Sequence, residues 1–208
     1  MDLYLFDFDN TLYAYDSRRR LPAQSRLSGV SQYHLAKTWW AAGFERRAEA
    51  GEWPTADAYL DQFAAVTGAR LTLAQWVQAR SEASTATTGV VDEFRRASTR
   101  GTASLLSNNP SPFVEGFTSL APDVSAIAGP NLLVSCMLGA RKPSALAYRR
   151  ALDAYGANAA DTFLVDDSAE NIAGAASLGI TAHRFLGATA SAVADLHTAI
   201  DRFSARKS

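Results

Sequence analysis

The chain has 208 residues, 48% of them apolar and 20% charged, with a formal net charge of −1. That length and apolar content suit one domain, or one domain with a sizeable insertion, and exclude a disordered tail. The near-neutral charge argues against a nucleic-acid or anionic-membrane binder, since both need a basic surface.

Leu3-Tyr4-Leu5-Phe6 is a short apolar run that meets Asp7-Phe8-Asp9-Asn10-Thr11, and it reads as a buried strand entering a polar loop. Beyond an Arg18-Arg19-Arg20 loop, residues 28–86 read as helical, with no convincing strand. Apolar spacing places helices over 31–48, 55–66 and 72–83, the second stopped by Gly68. Residues 81–89 are small and polar and read as a linker. The pattern then alternates. A helix over 90–100 precedes a strand at 103–106, which leads into Ser107-Asn108-Asn109-Pro110. An apolar run at 132–134 reads as a strand heading for Arg141-Lys142-Pro143, and a helix covers 144–155. The strand at 162–165 ends in Asp166-Asp167; a helix over 169–178, a strand over 180–185, a helix over 190–203 and a frayed tail at 204–208 follow. Alternating strands and helices imply an α/β fold, a mostly parallel sheet with helices on both faces, and the all-helical stretch is an insertion.

Four polar clusters share one placement. Asp7/Asp9, Ser107, Lys142 and Asp166/Asp167 each follow a strand-like run, and in an open parallel sheet those strand ends converge on one crevice. Four carboxylates together repel unless a cation sits among them, and Mg²⁺ prefers such hard oxygen ligands. An ammonium and a hydroxyl beside them suit a phosphate. A carboxylate can attack a phosphoryl group, while a second acid protonates the leaving oxygen and later activates water. Asp7 and Asp9 are two residues apart, so a continuing strand would point both the same way. Of the 20 basic residues only three are lysines, Lys37, Lys142 and Lys207, which favours a particular need for the ammonium at 142. The chemistry is that of phosphoryl transfer.

Residues 5–12, Leu-Phe-Asp-Phe-Asp-Asn-Thr-Leu, resemble the D-x-D-x-T signature of the haloacid dehalogenase (HAD) superfamily. Ser107, Lys142-Pro143 and Phe163-Leu164-Val165-Asp166-Asp167 match its other three motifs in order. The resemblance implies a Rossmann-like HAD core over 1–14 and 88–208 with an all-α cap of subfamily I over 15–87. It implies Asp7 as nucleophile and metal ligand, and Asp9 as acid/base with its backbone carbonyl on Mg²⁺. Ser107 and the Asn108 backbone amide would hold phosphate, and Lys142 would orient the nucleophile and offset charge. Asp167 would ligate the metal, with Asp166 doing so directly or through water. Asn171 stands where a second Asp is common, and Met137 where an acid is common. Residues 138–143 and 161–179 are similar to the glucose-1-phosphate phosphatase branch and to the N-terminal phosphatase domain of soluble epoxide hydrolase. The expected activity is Mg²⁺-dependent hydrolysis of a small phosphorylated metabolite, such as a sugar phosphate, through an aspartyl-phosphate.

Other readings compete. An EF-hand loop opening at Asp7 fails, because its sixth and twelfth positions are Leu12 and Arg18. A solvated loop charge is the ordinary reading of a lysine such as Lys142, and Asp166-Asp167 could serve only to cap a helix, although Ser168 suits that task. His34, His183 and His197 lack ligand spacing and read as structural; Cys136 reads as a small buried residue. Trp39, Trp40 and Phe44 suit either a core or a substrate pocket, and Arg18–Arg20 and Arg46-Arg47 either an anionic substrate or solvent. Phosphomutase, 2-haloacid dehalogenase, receiver domain and silent phosphate-binding protein are the alternative functions. A dehalogenase of this family lacks the acid that Asp9 supplies here. With no bilayer-length apolar run, no positive N-terminal start and one cysteine, the expected setting is cytoplasmic, as a monomer or weak dimer with no nucleic-acid or membrane partner.

Overall fold

Chain order sets the layout in the computed structural model, which describes residues 1–206. Strand β1 (Leu3–Phe6) and strand β2 (Tyr13–Tyr15) precede α1 (Ser17–Ser28), α2 (Gln32–Leu35), a π-helical turn (Ala36–Trp40), α3 (Phe44–Glu49), α4 (Ala56–Thr67) and α5 (Leu73–Glu82). Then come β3 (Ser84–Ala86), α6 (Thr88–Ser98), β4 (Thr102–Leu105), α7 (Ser111–Leu120), α8 (Pro122–Ala128), α9 (Ser135–Leu138) and α10 (Ala145–Tyr155). Strand β5 (Thr162–Asp166), α11 (Ala169–Ala176), β6 (Thr181–Arg184) and α12 (Ala190–Ala205) complete the described chain. Lys207 and Ser208, the end of the expected tail, lie outside the described residues.

The main sheet has the order β4-β1-β5-β6, with every pairing parallel. Strand β1 is buried along its whole length, as a central parallel strand covered on both faces must be. Its side chains alternate: Tyr4 and Phe6 enter one apolar cluster, Leu3 and Leu5 the other. Strand β5 repeats this with Phe163 and Val165 against Leu164. Helices α6 and α12 supply Phe94, Leu196 and Ile200 on the first face, and α10 and α11 supply Tyr148, Ala151 and Ala175 on the second. The α/β sheet flanked by helices is the architecture expected of the sequence.

Helices α1 to α5 pack around Trp39, Tyr59, Phe63 and Trp76, all four buried. This aromatic group is continuous with the first sheet-face cluster by way of Phe113 and Phe117 on α7. Local signals mark the helix ends. Thr55 caps α4, Thr72 and Gln75 form a capping box on α5, and Gly68 ends α4 in the left-handed region.

Several local expectations need correction. Residues 13–15 and 84–86 pair as an antiparallel ribbon, β2 with β3, so the supposed linker contains a strand. Tyr13 pairs with Ala86, 73 residues along the chain, so no local pattern could announce it. Arg18–Arg20 do not form a loop: Asp16 accepts from Arg18 N and starts α1 there. The single helix expected over 31–48 breaks at Gly43, whose φ of 82° suits no continuing helix. Residues 132–134 form no strand; the chain meets the sheet edge at one bridge, Val134 beside Ser107. Residues 111–128, to which the sequence pattern assigns no element, form α7 and α8.

Gly51, just after α3, lies against α9. Its φ is +87°, and a Cβ there would stand 2.5 Å from the Cys136 carbonyl oxygen. Gly51→Ala is therefore expected to destabilise the fold by about 1–3 kcal/mol, read as a lower denaturant midpoint. An unchanged midpoint would show that this contact yields freely.

Candidate active site

The polar residues singled out in the sequence meet at the C-terminal ends of the parallel strands, where such sheets open a crevice. Asp7 follows β1, Ser107 follows β4, Asp166 ends β5 and Asp167 comes just after it. Lys142 arrives on the loop before α10 and is 1% exposed. Its Nζ lies 2.6 Å from Asp166 Oδ2 and 3.1 Å from Asp7 Oδ1. Burial pulls this ammonium down, but Asp7 and Asp166 together outweigh burial and the net direction is upward. The solvated-charge reading of Lys142 fails on that geometry.

The Lys142 loop is held by Asn108. Its Oδ1 accepts from Lys142 N at 2.9 Å and its Nδ2 donates to Lys142 O at 3.0 Å. Asn108 thus has a side-chain function that its sequence motif did not suggest. Asp166 is engaged on all sides: Oδ1 accepts from Ser168 N and Asn171 Nδ2, and Oδ2 from Lys142 Nζ and Asn171 Nδ2. A carboxylate has about four lone-pair sites, so Asp166 already has its full complement of donors. Asn171, buried on α11, grips Asp166 at 2.9 and 3.0 Å, and Ser168 caps that helix.

Asp7, Asp166 and Asp167 form a set in which one oxygen from each lies within 4.8 Å of the others. Burial drives the Asp7 carboxyl up to about 7; Lys142 lowers it, Asp166 and Asp9 raise it, and Ser107 lowers it by a hydrogen bond. Burial and then Asp166 raise Asp167, against a hydrogen bond from Asn10. Three crowded carboxylates opposed by one ammonium leave negative charge in a buried place. Hard oxygen donors in that arrangement fit a divalent cation such as Mg²⁺.

Linkage gives this a sign. A carboxyl raised by folding contributes stability below its unfolded value, 3.8, and loses it as pH climbs through about 7. Metal-free protein is therefore expected to lose thermal stability from about pH 5 to about pH 8 through this group, and Mg²⁺ to raise Tm more at the higher pH. A Mg²⁺ shift that ignores pH would contradict the Asp7 assignment.

Asp9 departs from expectation. The strand ends at Phe6 and the chain turns after Asp7, with Tyr13 N donating to Phe8 O and Asn10 at φ 59°. The two carboxylates do not share a strand face. Asp9 instead accepts from Arg80 at 2.5 and 2.6 Å and from Asn109 Nδ2 at 3.2 Å, outside the three-carboxylate set. Arg80, on α5, is 1% exposed and lies 4.1 Å from the Tyr15 ring centroid. Asn109 also donates to Ser107 Oγ at 3.0 Å, tying two motifs together. Sequence reasoning missed both residues. Asn109 had a signal, its place beside Ser107 at a strand end; Arg80 had none.

Other candidates separate from the site. His197 pairs with Glu93 and Asp201, and the Cys136 thiol, raised by burial to about 12, is no nucleophile at neutral pH. Trp39 is buried in the aromatic core, whereas Trp40 lines a cavity beside Asp9.

The fold and site together are those of a parallel α/β protein with a carboxylate-lysine cluster at its strand ends. Residues 1–179 match the family model for haloacid dehalogenase-like hydrolases. The chain belongs to that family. Among solved structures it is similar to a HAD family enzyme of Bacteroides thetaiotaomicron in complex with magnesium and inorganic phosphate, at TM-score 0.73 and 17% identity, over 90% of this chain and 95% of that one. It is also similar to the L-2-haloacid dehalogenase of Xanthobacter autotrophicus, at TM-score 0.58 and 16% identity, over 93% and 81% of the two chains. No helix among the described residues is long and apolar enough to cross a membrane.

Proposed function

We propose that the protein is a Mg²⁺-dependent phosphatase of small phosphorylated metabolites. The observation that carries the reading is the buried Lys142 ammonium between Asp7 and Asp166, with Asp9 held beside them by Arg80 and Asn109. Asp7 is the nucleophile: its carboxylate oxygen attacks phosphorus, the P–O bond to the leaving group breaks, and an aspartyl-phosphate forms. In its protonated form Asp9 gives its proton to the leaving oxygen. The carboxylate so formed, paired with Arg80, then takes a proton from the attacking water as the bond from phosphorus to the Asp7 oxygen breaks and inorganic phosphate leaves. Ser107 and the Asn108 backbone amide hold the phosphoryl oxygens, and Lys142 keeps Asp7 oriented and its charge offset.

Asp7 and Asp167 are the side chains that would hold Mg²⁺, with the Asp9 carbonyl. Asp166, already filled with donors, would add negative charge beside the ion without ligating it. When bound, Mg²⁺ supplies charge neutralisation for the phosphoryl group. Residues 15–87 act as a cap over the crevice that excludes bulk water. Support for the metal and phosphate reading comes from the Bacteroides relative crystallised with both. Asp9 favours the phosphatase over the dehalogenase reading, as that chemistry has no leaving oxygen to protonate.

The test is phosphate release from sugar phosphates, nucleotides and short acid phosphates, with and without Mg²⁺. Metal-dependent release from at least one of them is the expected outcome. Folded, metal-loaded protein that releases none would overturn the reading and shift it to a mutase or dehalogenase.

A further inference from the structure

The helical stretch between β2 and β3 is bound to the rest of the chain at more than its two crossings. The crossings themselves are tied together: Asp16 N donates to Ala83 O and Thr87 N to Leu12 O, each at 2.9 Å, on either side of the β2–β3 ribbon. Well along the stretch, residues 49–56 meet three further segments. Glu49 pairs with Arg141 at 2.8 Å, and Gly51 lies against the Cys136 carbonyl. Ser111 Oγ donates to Trp53 O at 2.9 Å, and Ala56 N donates to Glu115 Oε1 at 2.6 Å. The last contact sets a carboxylate of α7 on the first turn of α4, where the helix dipole favours negative charge.

Helices α4 and α5 also pack on α7. Tyr59, Phe63 and Trp76 share one buried cluster with Phe113 and Phe117, so a single apolar core runs through both parts. Gly116 of α7 admits Val77 of α5 at close range, since a Cβ at 116 would strike Val77 Cγ2. Swinging these helices outward would wet the shared aromatic faces and part Glu49 from Arg141. The docked arrangement is also the one in which Arg80 of α5 meets Asp9. Access does not require it to open. With the helices in place, a cleft of about 410 Å³ reaches Asn10 and Asp167, and a cavity of about 240 Å³ reaches Asp9 and Asn108. Both volumes suit small molecules, whose sites begin at ~300 Å³ for drug-sized ligands.

We infer that residues 15–87 stay docked through turnover as a fixed wall and not a swinging lid, with small ligands passing through these standing openings. This docking goes beyond the phosphatase reading and leans on it only where turnover is measured.

Val77 and Gly116 supply the test. A Cβ at 116 stands 3.8 Å from Val77 Cβ, within the spacing of about 3.5–4.5 Å that a disulfide spans. Val77→Cys with Gly116→Cys, in a Cys136→Ser background, is oxidised to pin α5 to α7. Phosphate release with Mg²⁺ is then compared before and after reductant on one preparation. The two rates are expected to agree within about threefold. A larger fall in the oxidised form, restored by reductant, overturns the inference, and so does a pair that fails to oxidise. A second measurement needs no turnover. Tyr33 and Leu146, both exposed, are replaced by cysteine in the same background and spin-labelled. One distance is expected between the labels, the same with and without Mg²⁺ and inorganic phosphate. A second population, or a shift of about 5 Å or more, overturns the docking. If the unaltered protein releases phosphate from no substrate, the phosphatase reading falls and the label distance decides the docking alone.

Discussion

Asp7→Asn is expected to lower Mg²⁺-dependent phosphate release by about a thousandfold or more. An amide neither attacks phosphorus as a carboxylate does nor offers a metal the same charge. The fold should survive, because Asn matches Asp in shape and the buried cluster loses a repelling charge. Asp7 carries most of that strain, raised to about 7 by burial with Asp166 and Asp9 adding to it. The variant is therefore expected to equal or exceed the parent in thermal stability when both are metal-free, and to lose most of its Mg²⁺-induced rise in Tm. Inactivity with a full Mg²⁺ response would keep Asp7 as nucleophile and remove it as ligand. Retained activity would remove it as nucleophile.

Lys142→Met is expected to have the opposite effect on stability. Taking the ammonium away leaves Asp7 and Asp166 buried with no cation between them, at places now 3.1 and 2.6 Å from Nζ. Breaking a buried pair in this way costs about 3–5 kcal/mol, which for a chain of this size is a fall of roughly 10 °C in Tm. The cost needs ionised carboxylates, so it should shrink as pH falls from about 8 to about 5. Mg²⁺ should restore part of the stability, because a divalent cation offsets the same charge, while activity stays low because Asp7 has lost its orienting partner. A Tm unchanged across that pH range would mean that the carboxylates do not depend on Lys142.

These two outcomes concern residues whose meeting at the strand ends was already legible in the chain. Asp7, Ser107, Lys142 and Asp166-Asp167 each follow a strand-like run, and the topology of a parallel sheet brings strand ends together whatever their separation in sequence. The sheet strands were legible for the same kind of reason. Leu3–Phe6 and Thr162–Asp166 are buried on both faces, which demands an apolar run that a local reading can detect. Helix ends at Thr55, Gly68, Thr72 and Ser168 were legible because capping is a matter of neighbouring residues.

What lay beyond the sequence was set by partners distant in the chain. Tyr13–Tyr15 becomes a strand only because Ser84–Ala86 comes to lie beside it. Arg80 has the appearance of an ordinary helix charge until α5 folds over the crevice and sets its guanidinium against Asp9. The turn after Asp7 sends Asp9 away from the three-carboxylate set and toward Arg80 and Asn109. By itself the sequence determined the parallel α/β core and the reactive groups at its strand ends, since both follow from local burial pattern and residue type. Only the tertiary structure decided how those groups pair and how Arg20 meets Glu45 and Arg141 meets Glu49, because ion pairing depends on distance in space and not on spacing along the chain.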